Sequence, residues 1–302
     1  MLSHLQRRLN KQAGKLWRSY VKRRHIAALL ASVPADATIL EIGGGYNPRY
    51  VKATHPNVFH LDHGTTEDLR SKYAAFPVTA HLVDRIQPID FVFDGSPIEA
   101  LVPPTLRFDV IYGSHVLEHQ VDLIGHLQSL EKLLKPGARV IEMIPDLRTC
   151  FDALRYPTVT ADALVAHLRG ASIHQGKQVF DGVAREIDKN YGYRMCNADF
   201  DGVRFSHSLQ HALDAMWSAE APGQPYTDVH AWAFTPESFR LLMIELRLLG
   251  LTKLVPTYVS SLYGNQFCAV LERADKNLAA LTQGDLQALE HERLQLSLQL
   301  RV

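Results

Sequence analysis

Residues 39–48 read Ile39-Leu40-Glu41-Ile42-Gly43-Gly44-Gly45-Tyr46-Asn47-Pro48, and this stretch decides the fold. An apolar run of strand type, carrying one acid, breaks into three glycines. Glycine lets the chain turn sharply at a strand end and lets a ligand approach bare backbone. Pro48 suits a first helical position, so a short helix is expected from here to about residue 54, with free N–H groups at its start. Such a strand, turn and helix make a nucleotide-type pocket at the carboxyl end of a first strand. A dinucleotide fingerprint needs G-x-G-x-x-G, and Pro48 stands where the third glycine belongs. Glu41 would repel a pyrophosphate, whereas its charge suits a ligand with a cationic amino-acid part. These two residues disfavour a nicotinamide oxidoreductase. A tight turn with no ligand is the plain alternative.

Outward from the turn, strand and helix signals alternate. A helix is expected over about 16–32, and Val58–Asp62 reads as the second strand. Thr65–Tyr73 reads as a helix capped by Thr65 or Thr66. Ile89–Asp94 is the third strand, Pro97–Leu101 a short helix and Phe108–Gly113 the fourth strand. Leu123, Leu127, Leu130 and Leu134 recur at helical spacing within Val121–Leu134, which stops at Lys135-Pro136-Gly137. Arg139–Ile144 is the fifth strand. The alternation breaks after residue 147, then resumes at Pro236 with a helix Glu237–Leu249, ended by Gly250, and strands near 254–260 and 266–272.

This order predicts a doubly wound α/β fold, with a seven-stranded, mainly parallel sheet and helices on both faces. The domain is expected over 35–273, with 147–235 a mostly helical insertion covering the carboxyl edge of the sheet. Residues 1–34 read as a basic N-terminal helical segment, and 274–302 as a C-terminal helix. In the latter, Leu286, Leu289, Leu296 and Leu300 fall at heptad spacing, interrupted by Arg293. A short coiled coil, with a homo-oligomer formed through it, a solvated helix and a helix packed on the domain are equal readings.

Lysine plus arginine (32) balances aspartate plus glutamate (32), so no global field argues for a nucleic-acid partner. Cys150, Cys196 and Cys268 are far apart and unpatterned, which fits a reducing, cytoplasmic compartment. No apolar run approaches the length of a membrane span. The N-terminus is the exception to the balance: residues 1–35 hold Arg7, Arg8, Lys11, Lys15, Arg18, Lys22, Arg23 and Arg24 and no acid. A solvated helix, a peripheral helix drawn to anionic lipid at the inner face of the membrane, and a mitochondrial presequence all fit this pattern.

The later strand ends supply partners for the glycine turn. Asp62 closes the second strand seventeen positions after Gly45, where a carboxylate can accept ribose hydroxyls, and His63 follows it. Asp94-Gly95 closes the third strand, with Asp84 as a rival acid. Ser114 and His115 follow the fourth. Glu41-x-Gly43-x-Gly45, with Asn47 in the last glycine's place, resembles motif I of the class I S-adenosylmethionine-dependent methyltransferases. Phe108-Asp-Val-Ile-x-x-x-His115-Val-Leu-Glu118-His119, followed by Leu134-Lys135-Pro136-Gly137, resembles that superfamily's fourth and fifth motifs. The resemblance covers about residues 37–146, and the segments at 236–272 fit its closing strands. It implies a Rossmann-like methyltransferase fold and S-adenosylmethionine as cofactor. It also implies a cleft formed by Glu41, Gly43, Gly44, Gly45, Asn47, Asp62, His63, Asp94, Gly95, Ser114 and His115.

A narrower resemblance runs through Leu61-Asp62-His63, Leu69-Arg70-Ser71-Lys72-Tyr73 and Ile144-Pro145-Asp146. It is to bacterial methyltransferases found with glycosyltransferases in surface-polysaccharide systems. It implies a hydroxyl of a glycan or sugar-containing acceptor, and a glycosyltransferase partner. The competing reading is a non-catalytic module that scaffolds a membrane-associated glycan assembly. A sugar hydroxyl is a poor nucleophile at neutral pH, so a histidine base is expected: His119 or His230, with His115 as the alternative. Asp146, Arg148, Arg155, Tyr193, Arg194 and His207 are the residues expected to meet the acceptor. His115-x-x-Glu118-His119 also matches the inverted zinc motif H-x-x-E-H, and His207 and His211 form a second i, i+4 pair. The first begins at a strand end rather than on a long helix, so packed or solvated histidines are preferred and no metal ligand is assigned, although the two pairs keep a metal-assisted reaction open.

Overall fold

The computed structural model describes residues 24–188, 202–223, 226–261 and 263–301. Most of the basic segment 1–34 therefore lies outside the described residues, as do Tyr193, Arg194 and Cys196. What is described is a seven-stranded sheet. Its strands are β1 Ile39–Ile42, β2 Val58–Asp62, β3 Phe91–Val92, β4 Phe108–Ser114, β5 Leu134–Pro145, β6 Leu254–Val259 and β7 Gln266–Arg273. The spatial order is β3-β2-β1-β4-β5-β7-β6, and β7 alone runs antiparallel to its neighbours. The expected doubly wound, mainly parallel sheet is present. The order reverses beside β1, so the ends of β1, β2 and β4 open a crevice where such folds bind ligands.

Alternation along the central strands sends side chains to two separate cores. Leu40, Ile42 and Ile111 join Leu123, Leu127 and Leu130 of helix α4 (Leu123–Leu133) and Phe239, Leu242 and Leu246 of helix α8 (Pro236–Leu248). Ile39, Val110, Tyr112 and Met143 face the other way, onto Ile26 and Leu30 of helix α1 (residues 24–31) and onto Tyr50. Leu40, Ile111, Leu123 and Leu127 are each 0% exposed, so each contributes roughly 1.5–3 kcal/mol of burial. Helix starts follow the caps written in the sequence. Thr65 closes a capping box with Asp68 at the start of helix α2 (Thr66–Ala74), and Thr235 does the same ahead of Pro236.

Two local expectations fail. No helix follows Pro48; residues 49–57 run as bends and turns. The reason lies in Glu41, whose carboxylate accepts from the N–H of Arg49 (2.6 Å) and of Tyr50 (2.7 Å), fixing the chain in a turn. β3 is two residues long rather than six, so Asp94 falls past the strand in an exposed loop.

Residues 147–235 carry helices α5 (Thr160–Leu168), α6 (Gly176–Ala184) and α7 (Leu209–Glu220), besides a short helix α3 (Ile98–Leu101) earlier in the chain. The two ends of this block meet at the bridge Asp146↔Phe234, with the N–H of Leu147 donating to Phe234 O at 2.7 Å. The cap thus leaves the sheet and returns to it at one point, beside the end of β5. The C-terminal helix α9 (Gln283–Gln299) packs on α8 through buried Leu296 and an Arg293–Glu245 ion pair at 2.9 Å. Among the described residues no helix is long and apolar enough to cross a membrane.

Candidate active site

The crevice has two sides, and its first side is built by the glycine turn. Gly43 (φ +68°) and Gly45 (φ +46°) take the left-handed conformation that glycine tolerates without strain. A Cβ on Gly43 would sit 2.5 Å from Val116 Cγ2, and one on Gly45 would sit 3.0 Å from the Tyr73 hydroxyl. Asp62 at the end of β2 is 5% exposed and ties the turn down. Its Oδ2 accepts from Gly45 N at 3.0 Å, and its Oδ1 accepts from His63 N at 2.8 Å and meets His63 Nδ1 at 2.7 Å. Burial pushes the Asp62 carboxyl up, but the bonds from His63 and Gly45 more than offset this and hold it below the usual carboxylate range. Oδ2, holding one of its two lone pairs free, remains an acceptor toward the crevice.

Glu41 is a correction. It was expected to face a cationic ligand group, yet it shares the α1 side of the sheet with Ile39 and is spent on the Arg49 and Tyr50 amides. Burial lifts its carboxyl to about 7 against those two bonds. Its part in the cleft is to shape the loop. The Asn47 side chain likewise accepts from Arg85 Nη2 at 3.0 Å. Asp94 is exposed and accepts from Ser96 N at 2.9 Å, with Gly95 beside it in the loop. Gly44 packs its backbone near the Glu41 carboxylate, and Ser114 is half-buried at the end of β4.

The second side lies where β4 ends. His115 adopts φ +56°, the sole non-glycine left-handed residue among those described. Its N–H donates to Met143 O at 2.9 Å, and its ring meets Gln266 Oε1 at 2.6 Å. Such strain gathers at functional sites. The chain then folds back so that Glu118, 1% exposed, points inward with neither oxygen hydrogen-bonded. His115 Nδ1 stands 3.6 Å and His119 Nε2 3.7 Å from Glu118 Oε1. The cap brings in His230, whose ring packs edge-on to His119 with centroids 5.0 Å apart. Each of these two histidines has its other side turned to a carboxylate. Asp228 Oδ1 approaches His119 Nδ1 at 3.1 Å as an ion pair off the line of a hydrogen bond, and Asp152 Oδ2 meets His230 Nδ1 at 3.2 Å.

The charges follow from this packing. Burial pushes His119 down, but Asp228 and Glu118 outweigh it, and the net shift is upward. The contact with His119 depresses Asp228 to about 2. Beneath the cluster, in β5, Glu142 is buried with both oxygens unpartnered; burial and the neighbouring Glu118 lift it to about 8. Gly113 is what makes room for it, since a Cβ there would overlap the Glu142 carboxylate.

The residues expected to meet the acceptor are differently occupied. Arg155 is buried, donating to Asp152 (3.0 Å), His230 O (2.7 Å) and Ala231 O (3.3 Å), so it clamps the cap's returning segment instead of facing a ligand. Removing one member of such a buried pair costs about 3–5 kcal/mol. Arg148 is held by buried Asp146 through Nε at 2.8 Å. His207 pairs with Glu186 at 3.6 Å and stacks on His211. Tyr193 and Arg194 lie outside the described residues. Sequence reasoning passed over Glu118, Glu142 and Asp228 as site residues. Glu142 had a signal, an acid inside the otherwise apolar run Val140-Ile141-Glu142-Met143-Ile144.

The family model described as "Methyltransferase domain" matches residues 10–181. No curated protein sequence matches the chain. Among solved structures, the mitomycin 7-O-methyltransferase MmcR aligns at 15% identity over 82% of this chain and 52% of its own, with a TM-score of 0.38. The chain therefore spans about half the length of MmcR. The CcbJ methyltransferase from Streptomyces caelestis aligns at 14% identity over 82% of this chain and 88% of its own, with a TM-score of 0.41. An S-adenosylmethionine-dependent methyltransferase from Mesorhizobium loti aligns at 22% identity over 44% of this chain and 57% of its own, with a TM-score of 0.30. The family match spans more than half of the chain and includes both sides of the crevice up to β5. The chain belongs to the methyltransferase-domain family.

Proposed function

We propose that the chain methylates a hydroxyl of a sugar-containing acceptor held between the end of β4 and the cap. One observation carries this reading: two histidines from distant parts of the chain, His119 and His230, converge on a buried carboxylate beside the cofactor turn. S-adenosylmethionine supplies an electrophilic methyl carbon on a sulfonium, open to in-line attack. Gly43–Gly45 and Asp62 hold it on one side of the crevice. The acceptor oxygen must be aligned and relieved of its proton on the other, where the histidine cluster sits. Asp228 and Asp152 orient the two rings toward that task.

A sugar acceptor is supported by the exposed ring of Tyr226, whose hydroxyl reaches Asp228 at 3.3 Å and whose face lies beside His174. An aromatic face next to charged, hydrogen-bonding groups suits a polyhydroxylated ring. The resemblance to polysaccharide-associated methyltransferases supports the same acceptor class, and the glycosyltransferase partner belongs to that reading.

The test has two steps. Calorimetry with S-adenosylmethionine should show binding by the wild-type chain. Transfer of labelled methyl to glycan acceptors should then fall a hundredfold or more in His119→Ala and in His230→Ala, with cofactor affinity retained. Near wild-type turnover in both variants would sink the role of the cluster, and transfer confined to acceptors without sugar would sink the substrate class.

A further inference from the structure

The side chains of Glu118, His119 and His230 have a second property in common: each turns a metal-ligand type of atom toward the other two. One ligand-type atom from each lies within 4.8 Å of the other two. With Asp228 on Nδ1 of His119 and Asp152 on Nδ1 of His230, the nitrogen left on each ring is Nε2. Both Glu118 oxygens are buried without a hydrogen bond, and an isolated buried carboxylate is among the costliest arrangements a protein can hold. Glu142 adds a second buried, unpartnered carboxyl beneath it.

We propose that Glu118, His119 and His230 form a binding site for one divalent transition-metal cation, oriented by Asp228 and Asp152. Two imidazoles and one carboxylate suit a borderline ion such as Zn²⁺, Mn²⁺ or Fe²⁺ better than Mg²⁺ or Ca²⁺, which prefer all-oxygen ligands. The geometry is close to what such an ion needs. Ligand atoms about 2.1 Å from a tetrahedral ion stand about 3.4 Å from each other, and His119 Nε2 stands 3.7 Å from Glu118 Oε1. A carboxylate on the far nitrogen of each ligating histidine is the usual outer shell of a metal site, fixing the tautomer and the ring angle. The strand-end position of His115-x-x-Glu118-His119 disfavours zinc held by that motif alone. The structure keeps Glu118 and His119 from that motif and replaces the outer histidine with His230 from the cap.

The consequence for catalysis rests on the proposed function. The ion keeps an open position facing the crevice, where the acceptor hydroxyl binds as a further ligand and ionises more readily. Its proton leaves to solvent. The oxygen–carbon bond then forms as the carbon–sulfur bond breaks, and the electron pair of that bond stays on the now neutral sulfur. His119 and His230 are then ligands rather than bases.

The experiment uses the full chain, stripped with a chelator and titrated with Zn²⁺ and with Co²⁺ as a visible-absorbing stand-in. One equivalent should bind, raise the melting temperature, and give a ligand-field spectrum shaped by two nitrogens and an oxygen. Glu118→Gln, His119→Gln and His230→Gln should each weaken binding at least a hundredfold. Asp228→Asn should weaken it about tenfold to a hundredfold, and His207→Ala should leave it unchanged. Should the Glu118 and His230 variants fail to fold, the exposed Asp228→Asn carries the test through its spectrum. Ion binding that survives His119→Gln, or is lost in His207→Ala, overturns the site. Methyl transfer that is abolished by His119→Ala yet indifferent to chelation leaves the histidine cluster standing and removes the metal. A bound ion without any methyl transfer would instead remove the proposed function and keep the site.

Discussion

The two sides of the crevice are built on opposite principles. Around the glycine turn both buried carboxylates have found partners within the chain: Glu41 holds two amides and Asp62 holds Gly45 and His63, while exposed Asn47 accepts from Arg85. Across the crevice, at the ends of β4 and β5, Glu118 and Glu142 are buried with all four oxygens unpartnered. Satisfied groups rigidify, and unsatisfied ones cost stability and are retained for what they receive. The first side, proposed to hold the cofactor, is complete in itself, whereas the second is poised for a charge or a ligand from outside. Substitutions should therefore weaken the fold on the cofactor side and, at the right position, strengthen it on the acceptor side.

The largest loss is expected at Gly43. Alanine there meets both a left-handed backbone and Val116 Cγ2 at 2.5 Å. We expect Gly43→Ala to cost about 3–4 kcal/mol by chemical denaturation. Repeating the change in a Val116→Ala background should recover the steric share but not the backbone share. A loss below about 1 kcal/mol would mean that the turn is softer than its φ angles imply.

The opposite sign is expected at Glu142. Its carboxyl sits at about 8 in the folded chain against 4.5 as a free side chain. Between those values the native state keeps a proton that the unfolded chain has released, so stability falls as pH rises through this window and levels above it. Glu142→Gln removes the penalty. In the presence of chelator it should match wild type at acid pH and be more stable by up to about 4–5 kcal/mol above pH 8. Equal stability at both ends would show that water or a counter-charge reaches the carboxylate, and the contrast between the two sides would dissolve.

These sites differ as much in how they could be read from sequence. The strands and their order were legible because period-2 apolar runs and caps such as Thr65-x-x-Asp68 and Thr235-Pro236 are local signals. The helix after Pro48 was misread because a proline that permits a helix was weighed without Glu41, whose carboxylate captures the amides that would have begun one. Strand alternation itself places Glu41 with Ile39 rather than toward the crevice. The histidine cluster was legible only in fragments. Glu118 and His119 are adjacent, but Asp152 and His230 reach them through an insertion whose helices say nothing, by periodicity, about where their loops converge. Arg155 shows the same limit: its type suggested an anionic ligand, and only its partners reveal a clamp.

On the cofactor side a milder probe separates architecture from binding. Asp62→Asn keeps one acceptor and turns an amide NH2 toward Gly45 N or the His63 N–H, orphaning one donor. The expected cost is about 1–2 kcal/mol of stability. Cofactor affinity, read by calorimetry, should fall at least tenfold. Unchanged affinity would confine Asp62 to shaping the turn.

The smallest effect tests the acceptor side at its rim. Asp228 is 70% exposed at its side chain, so its ion pair with His119 is screened by solvent and worth at most about 1 kcal/mol. The signs still define a window. His119 is raised in the folded chain, so its share of the stability is complete below the ordinary histidine value and disappears as pH climbs through the raised one. Asp228 is depressed to about 2, so its share is complete above the ordinary carboxylate value and disappears as pH falls toward 2. Both are complete only between roughly pH 4 and 6.5. Asp228→Asn, in chelator, should lower stability most within that window, with the difference fading outside it. It should also move the His119 resonance titration, followed by NMR, to lower pH. A histidine titration indifferent to Asp228 would mean that Glu118 alone sets the charge of the cluster.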